Sequence, residues 1–103
     1  MYIKETIIKI RKSPIKSKKY LAYIKGEKGK IRKLHFGSHD YAQWKDQTKY
    51  HIYKKWDHHD PKRRKDYYMR HSGVPTKTQA LKKEIKKSKG LYTSKILSHI
   101  FLW

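Results

Sequence analysis

Residues 56–73 have the sequence WDHHDPKRRKDYYMRHSG, which predicts a short helix with a defined start and a defined end. Asp60 is a suitable N-cap because its carboxylate can accept the free N–H groups of the first turn. Pro61 follows at the first helical position, where its missing N–H is no loss. Gly73 can adopt the left-handed conformation that ends a helix. We therefore predict a helix over Pro61–His71 and expect the rest of the chain to be organised around it.

The predicted helix carries cationic and aromatic side chains on adjoining faces. Such side chains can bind phosphates or stack on bases. The alternative is that Tyr67 or Tyr68 belongs to the core and that the arginines pair with Asp57 or Asp66. Asp66 and Arg70 stand four residues apart in the order that favours a helical ion pair. The candidate nucleic-acid-binding residues on this helix are Arg63, Arg64, Tyr67, Arg70 and His71.

The chain before residue 38 has the composition of β-strands. Met1–Arg11 is rich in Ile, Thr and Tyr, which favours a first strand. Lys19–Lys25 and Lys30–Phe36 flank the turn Gly26–Gly29, whose glycines can adopt positive φ, and these segments predict a β-hairpin. Three such strands need a helix on one face to be stable.

The segments on either side of the central helix differ in regularity. Residues 38–55 predict mostly loop, with a short helical turn near Asp40–Lys45 and an extended segment near Tyr50–Lys54. Thr76 and Gln79 have capping-box spacing for a second helix over Thr76–Lys89. A last helix is predicted from about Ser94 to the end of the chain.

These elements predict an α+β fold in a single basic domain of 103 residues. Residues 1–37 form a small antiparallel sheet, residues 38–59 form an aromatic loop region, and residues 60–103 form the helices that cover the sheet. Aromatic residues make up 14% of the chain. Because disordered tails are poor in aromatics, a folded domain is expected.

Positive charge dominates the composition and points to an anionic partner. The chain has 28 Lys and Arg against 8 Asp and Glu, which gives a net charge of +20. Such a surface repels itself unless it meets a polyanion or an acidic protein. Only five of the 28 are arginine. Lysine suits contact with phosphates, whereas arginine suits bidentate recognition of bases. The excess of lysine over arginine therefore favours binding that is independent of base sequence.

The second predicted helix places a row of lysines on its outer face. Lys82, Lys83, Lys86 and Lys87 could lie along a nucleic-acid backbone. The alternative is a solvated face, which is the usual meaning of a run of charges.

The sequence Asp57-His58-His59-Asp60 raises the question of a metal site, since imidazole and carboxylate bind Zn, Fe and Mn. Sequential ligands cannot all point at one ion, and Asp60 is better used as a cap. We therefore predict no metal and no cofactor.

The sequence also predicts no catalytic residues. It contains no Ser-His-Asp order, Gly-rich phosphate loop or metalloprotease motif. It has no Cys, which excludes disulfides, thiolate zinc sites and cysteine catalysis. No apolar run approaches the ~20 residues that a membrane span needs, and the first ten residues lack the apolar core of a signal peptide. A small basic nuclease that uses His and Asp is the enzymatic alternative.

The chain ends on an unusually apolar segment, Ile100-Phe101-Leu102-Trp103. Exposed apolar ends are a liability. Either this segment closes the core or it docks on a partner.

Residues 60–71, DPKRRKDYYMRH, resemble the signature D-P-x-R-R-x-x-Y-x-x-R-H of a family of short basic proteins. Nucleocytoplasmic large DNA viruses of the chlorella-virus and mimivirus type encode that family. Ser13-Pro14, His35-Phe36-Gly37 and the final Leu102-Trp103 fit the resemblance. The resemblance implies a viral protein carried in the virion and present in the host cytoplasm or nucleus during infection.

Together these features predict a non-enzymatic virion or nucleoid protein that binds double-stranded DNA through its phosphates for genome packaging. One alternative is a minor capsid protein that cements acidic coat or membrane surfaces. Another is an RNA-binding or ribosome-associated basic protein. The oligomeric state is left open by the sequence.

Overall fold

The computed structural model describes residues 2–103 and confirms the α+β fold. Three strands form an antiparallel sheet in the order β1-β2-β3. A short 3₁₀ helix and three α-helices follow the sheet along the chain. The strands are β1 (Thr6–Lys12), β2 (Lys18–Lys25) and β3 (Ile31–Ser38), the 3₁₀ helix is Lys54–Trp56, and the helices are α1 (Pro61–Ser72), α2 (Lys77–Lys87) and α3 (Ser94–Phe101).

Helix α1 begins and ends where the sequence predicts. The Asp60 carboxylate accepts hydrogen bonds from the backbone N–H of Lys62 at 3.0 Å and of Arg63 at 3.4 Å. Gly73 closes the helix with a φ of 70° and donates its N–H to the carbonyl of Met69. Both ends are therefore fixed by local chemistry that does not depend on the rest of the fold.

The inner face of the sheet forms the main core. Tyr20, Ala22 and Ile24 alternate along β2 and are fully buried. They pack with Phe36 of β3 and with Leu97 of α3. Helix α3 lies against β3, and α2 lies against α3 and α1; in the described chain neither α1 nor α2 packs directly on the strands. The layers therefore run from the sheet through α3 to α2 and α1.

The segment between β3 and α1 differs from the prediction. Neither a helical turn over residues 40–45 nor an extended segment over residues 50–54 forms; the chain makes turns, a single bridge between Gln43 and Asp57, and the 3₁₀ helix. The cause is the buried carboxylate of Asp46, which accepts the backbone N–H of Thr48 at 3.0 Å and of Tyr53 at 3.1 Å. Since a side chain satisfies these donors, the backbone does not need a regular ladder.

The first strand starts at Thr6, later than predicted, because the residues before it bind elsewhere. Glu5 pairs with Arg32 at 2.6 Å and accepts the N–H of Tyr92 at 2.7 Å. Lys4 donates its N–H to the carbonyl of Gly90 at 2.8 Å. These contacts tie the chain before β1 to the connection between α2 and α3.

Gly37 is expected to be the glycine least tolerant of substitution. It has a φ of +80°, and a Cβ there would lie 2.6 Å from a methyl of the buried Leu102. We expect Gly37→Ala to lower the free energy of unfolding by roughly 2–5 kcal/mol, because left-handed strain and overpacking add. Gly29 is the matched control, since it has a φ of +82° and a Cβ there would meet nothing within 4 Å. Gly29→Ala should be destabilised only by the backbone strain, by about 1–2 kcal/mol in urea denaturation. Equal losses of stability in the two variants would contradict this prediction.

Candidate nucleic-acid interface

A cleft of about 850 Å³ opens between α1, α3 and the end of β3. Helix α1 forms one wall with side chains spaced three and four residues apart, so that one stripe of the helix faces the cleft. The chain around Lys18, Ser38 and Tyr41 forms the opposite wall, and α3 contributes Lys95. The residues of α1 that line the cleft are Arg63, Asp66, Tyr67, Arg70 and His71. The helix thus brings four of the five predicted α1 residues to one site.

The lining of the cleft is strongly cationic. Asp66 is its one acidic side chain, whereas its accessible basic side chains are Lys18, Arg63, Arg70 and Lys95. Across residues 2–103, no carboxylate lies within salt-bridge distance of Arg63 or Arg70. The helical pair expected between Asp66 and Arg70 is therefore not formed. Both exposed guanidinium groups are left available to an external anion.

Tyr67 forms the floor of the cleft and belongs to the core. Only 7% of its surface is exposed, and its ring stacks on Trp103 with the centroids 4.0 Å apart. Its hydroxyl bonds Nδ1 of His99 at 2.8 Å. Neighbouring Tyr68 is also buried. Of the two interpretations of these tyrosines, the structure favours the core, and Tyr67 is not placed to stack on a base.

Arg64 points away from the cleft although it adjoins Arg63 in the sequence. Its guanidinium lies 4.8 Å from the ring centre of Trp44. Its Nε donates to the main-chain oxygen of Trp103 at 2.9 Å. These two contacts give Arg64 a packing role, so that we leave it out of the interface.

The carboxyl end of α1 joins the cleft to the lysines of α2. The ammonium group of Lys83 donates to the carbonyl of Ser72 at 2.7 Å, and that of Lys95 donates to the carbonyl of His71 at 3.0 Å. Cations are favoured at this end of a helix because the unpaired carbonyls carry partial negative charge. The pKa of His71 is lowered by burial and by the nearby charges of Arg70 and Lys95, which disfavour the charged form of its ring.

We name the resulting surface the cationic belt. It runs from the cleft, past the end of α1, to the outer face of α2, where Lys82, Lys86 and Lys87 are exposed. Its members are Arg63, Arg70, Lys82, Lys83, Lys86, Lys87 and Lys95. The belt is held on three helices rather than on loops, so its charges keep fixed relative positions.

A buried polar network under the belt links the three helices. Ser72 donates its hydroxyl proton to Glu84 at 2.9 Å, so Nε2 of His99, 2.8 Å from the same oxygen, carries a proton and donates to it. Ser72, Glu84 and His99 are all buried. In a Ser-His-acid triad the acid bonds the histidine and the serine is open to substrate. Here the acid bonds the serine, and the network holds α1, α2 and α3 together.

His99 is expected to make the fold sensitive to acid. Burial lowers its pKa to about 4, well below the ordinary value for histidine. The neutral ring therefore stabilises the folded state at pH 7, and that contribution is lost as the pH falls from about 6.5 towards 4. The loss is at most about 3.5 kcal/mol, at roughly 1.4 kcal/mol per pH unit of pKa difference. Urea denaturation of the wild type should show this fall, and His99→Gln should flatten it. A pH profile that His99→Gln leaves unchanged would contradict the prediction.

The cluster at residues 57–60 is used for structure. Asp57 accepts from the side chain of Gln43 and from the N–H of Asp46, each at 2.7 Å. Asp60 caps α1 and donates its N–H to Nδ1 of His58 at 2.9 Å. No group of three metal-ligating side chains is arranged to hold an ion within residues 2–103.

The apolar end of the chain packs into the core. Leu102 is 1% exposed and lies with Phe36 in the main cluster. The ring of Phe101 lies 5.9 Å from that of Phe36, and Ile100 is half-buried. With Trp103 stacked on Tyr67, the segment predicted as a docking element is occupied by its own fold. Among the described residues, no helix is long and apolar enough to cross a bilayer.

Sequence reasoning missed the parts of the cleft that come from outside α1. Lys18 is the first residue of β2 and Lys95 lies in the first turn of α3, and neither position carries a local signal of a site. Comparison of the chain with protein-family models, with curated proteins and with solved structures found no match. The candidate interface therefore rests on its own geometry.

Proposed function

We propose that this protein binds nucleic acid through its phosphate backbone, without reading base sequence and without catalysing a reaction. The observation that carries the proposal is the pair Arg63 and Arg70, exposed on one wall of a cationic cleft with no carboxylate partner in the described chain. The double-stranded DNA of a large DNA virus, packaged in the virion, is the partner that we propose from the resemblance of residues 60–71.

The chemistry of the belt supports contact with phosphates rather than with bases. Four of its seven members are exposed lysines on α2, which act as point charges. Tyr67, the aromatic candidate for base stacking, is buried. Binding would be driven mainly by the release of counterions from the DNA, which depends on charge and not on sequence.

Fluorescence anisotropy with several labelled duplexes of unrelated sequence tests the proposal. At about 50 mM salt we expect dissociation constants that agree within roughly threefold, because non-specific binding is electrostatic. A matched RNA duplex in the same assay tests the alternative of an RNA-binding protein. Absence of binding, or a strong preference for one sequence, would overturn the proposal.

The capsid-cement alternative loses the observation that suggested it. That alternative depended on the segment from Ile100 to Trp103 being free to dock. Leu102 is buried and Trp103 is stacked on Tyr67, so the segment serves the core. We therefore carry only the nucleic-acid proposal forward.

A further inference from the structure

The outer face of the sheet is a second cationic surface that no helix of the described chain covers. Since Tyr20, Ala22 and Ile24 point inward to α3, the side chains that alternate with them belong to the opposite face. Lys19 and Leu21 of that face are buried, so its open part lies around Tyr23 and Lys25. The strand register places Lys9 and Lys33 on either side of Tyr23.

The next rows of the sheet continue the outer face. Arg11 and His35 flank Leu21, and Lys25 is paired with Ile31. The exposed cationic side chains of this face are Lys9, Arg11, Lys25 and Lys33. None of the outward-facing residues of β1, β2 and β3 is acidic. We name these four cations, with Tyr23, the sheet face.

The charges of the sheet face are arranged across the sheet rather than scattered. Lys9 and Lys33 are separated by two strand spacings, about 10 Å. The ammonium group of Lys33 lies 5.6 Å from the centre of the half-buried Tyr23 ring. Lysines on edge strands also prevent pairing with other sheets, and that accounts for Lys9 and Lys33. It does not account for Lys25, which lies on the central strand.

The sheet face and the lysines of α2 lie on opposite sides of the molecule. Helix α3 packs on the sheet, and α2 packs on α3 without touching the strands. Each layer adds about 10 Å, and the longest dimension of the molecule is 40 Å. Two surfaces that face away from each other cannot both lie along one straight duplex.

We propose that the sheet face binds a second segment of duplex DNA, so that one molecule bridges two duplexes. The inference rests on the proposed function, because the first duplex occupies the cationic belt. Charge complementarity identifies the second occupant: four exposed cations with no acidic neighbour on the strands fit a phosphate backbone. Bridging would draw DNA segments together in addition to neutralising them.

A sandwich assay measures bridging separately from binding. One duplex is immobilised on beads, the protein is added, and capture of a second, fluorescent duplex is recorded. The test variant is Lys9→Gln/Arg11→Gln/Lys33→Gln, and the control is Lys49→Gln/Lys54→Gln/Lys55→Gln, which removes the same charge from exposed positions outside both surfaces. Both variants should bind the first duplex equally. Capture of the second duplex by the sheet-face variant should fall at least about tenfold below the control, since three phosphate contacts are lost.

The outcomes separate the two proposals. If the wild type fails to hold the first duplex, the proposed function fails. If it holds the first duplex but the sheet-face variant captures the second as well as the control does, the bridging inference is overturned and the proposed function stands. If the sheet-face variant does not fold, lysine acetylation of the wild type is measured with and without DNA instead. Lys9 and Lys33 should be acetylated less when DNA is in excess. Unchanged acetylation of both lysines would reject the inference.

Discussion

Replacing Arg63 and Arg70 together by glutamine is expected to weaken DNA binding by about 30-fold near 0.15 M salt. Each phosphate contact contributes roughly fivefold to affinity at that ionic strength, and the double variant loses two contacts. Both side chains are exposed and neither is paired with a carboxylate within residues 2–103. The fold should therefore be unaffected, and circular dichroism should match the wild type.

The matched control removes two charges from a different surface. Lys54 and Lys55 are exposed in the 3₁₀ helix and do not line the cleft. Lys54→Gln/Lys55→Gln should change affinity less than about threefold, because only the general attraction of the net charge is reduced. If the two double variants weaken binding equally, the protein attracts DNA by net charge alone and the cleft has no special role.

Replacing Asp46 by alanine is expected to destabilise the protein by roughly 3–5 kcal/mol, a large part of the stability of a small domain. Asp46 is fully buried. It accepts hydrogen bonds from the hydroxyl of Tyr20, from the N–H and hydroxyl of Thr48, and from the N–H of Tyr53. Alanine would leave these donors buried without an acceptor, and each unpaired donor carries a penalty of about 1–3 kcal/mol before the structure relaxes.

Asp40 provides the comparison for this variant. Its side chain is 89% exposed, and its carboxylate lies 3.6 Å from Nδ1 of His39. Asp40→Ala should change the free energy of unfolding by less than about 0.5 kcal/mol. Urea denaturation of both variants measures the difference. A similar, small loss for both would mean that the carboxylate of Asp46 does not organise the segment between β3 and α1.

Elements whose ends are set by neighbouring residues could be predicted from the sequence. Helix α1 follows from the cap at Asp60, Pro61 and Gly73, and the hairpin follows from the glycines of its turn. The segment from residue 39 to residue 59 could not be predicted, because its backbone is satisfied by a buried carboxylate and by partners distant in sequence. The ammonium group of Lys19, for example, donates to the carbonyl of Tyr41 and the side chain of Gln43, each at 2.5 Å.

In the candidate site, too, local spacing predicts some residues and tertiary packing decides the others. Helical spacing was sufficient to group Arg63, Arg70 and His71, which share one stripe of α1. It did not reveal that Arg64 would turn to Trp44, because consecutive helical residues point about 100° apart and only tertiary packing decides which faces the solvent. The opposite wall of the cleft comes from the start of β2, which lies more than 40 positions earlier in the chain.

The salt dependence of binding to a single duplex tests most directly whether an ordered set of cations meets phosphates. Six members of the belt are candidate contacts from the sequence: Arg63, Arg70, Lys82, Lys83, Lys86 and Lys87. If all six meet phosphates, the logarithm of the association constant should fall with the logarithm of salt concentration at a slope of about −5. The Arg63→Gln/Arg70→Gln variant should have a slope smaller in magnitude by about 2. A wild-type slope near zero, or one that the double variant leaves unchanged, would contradict the account.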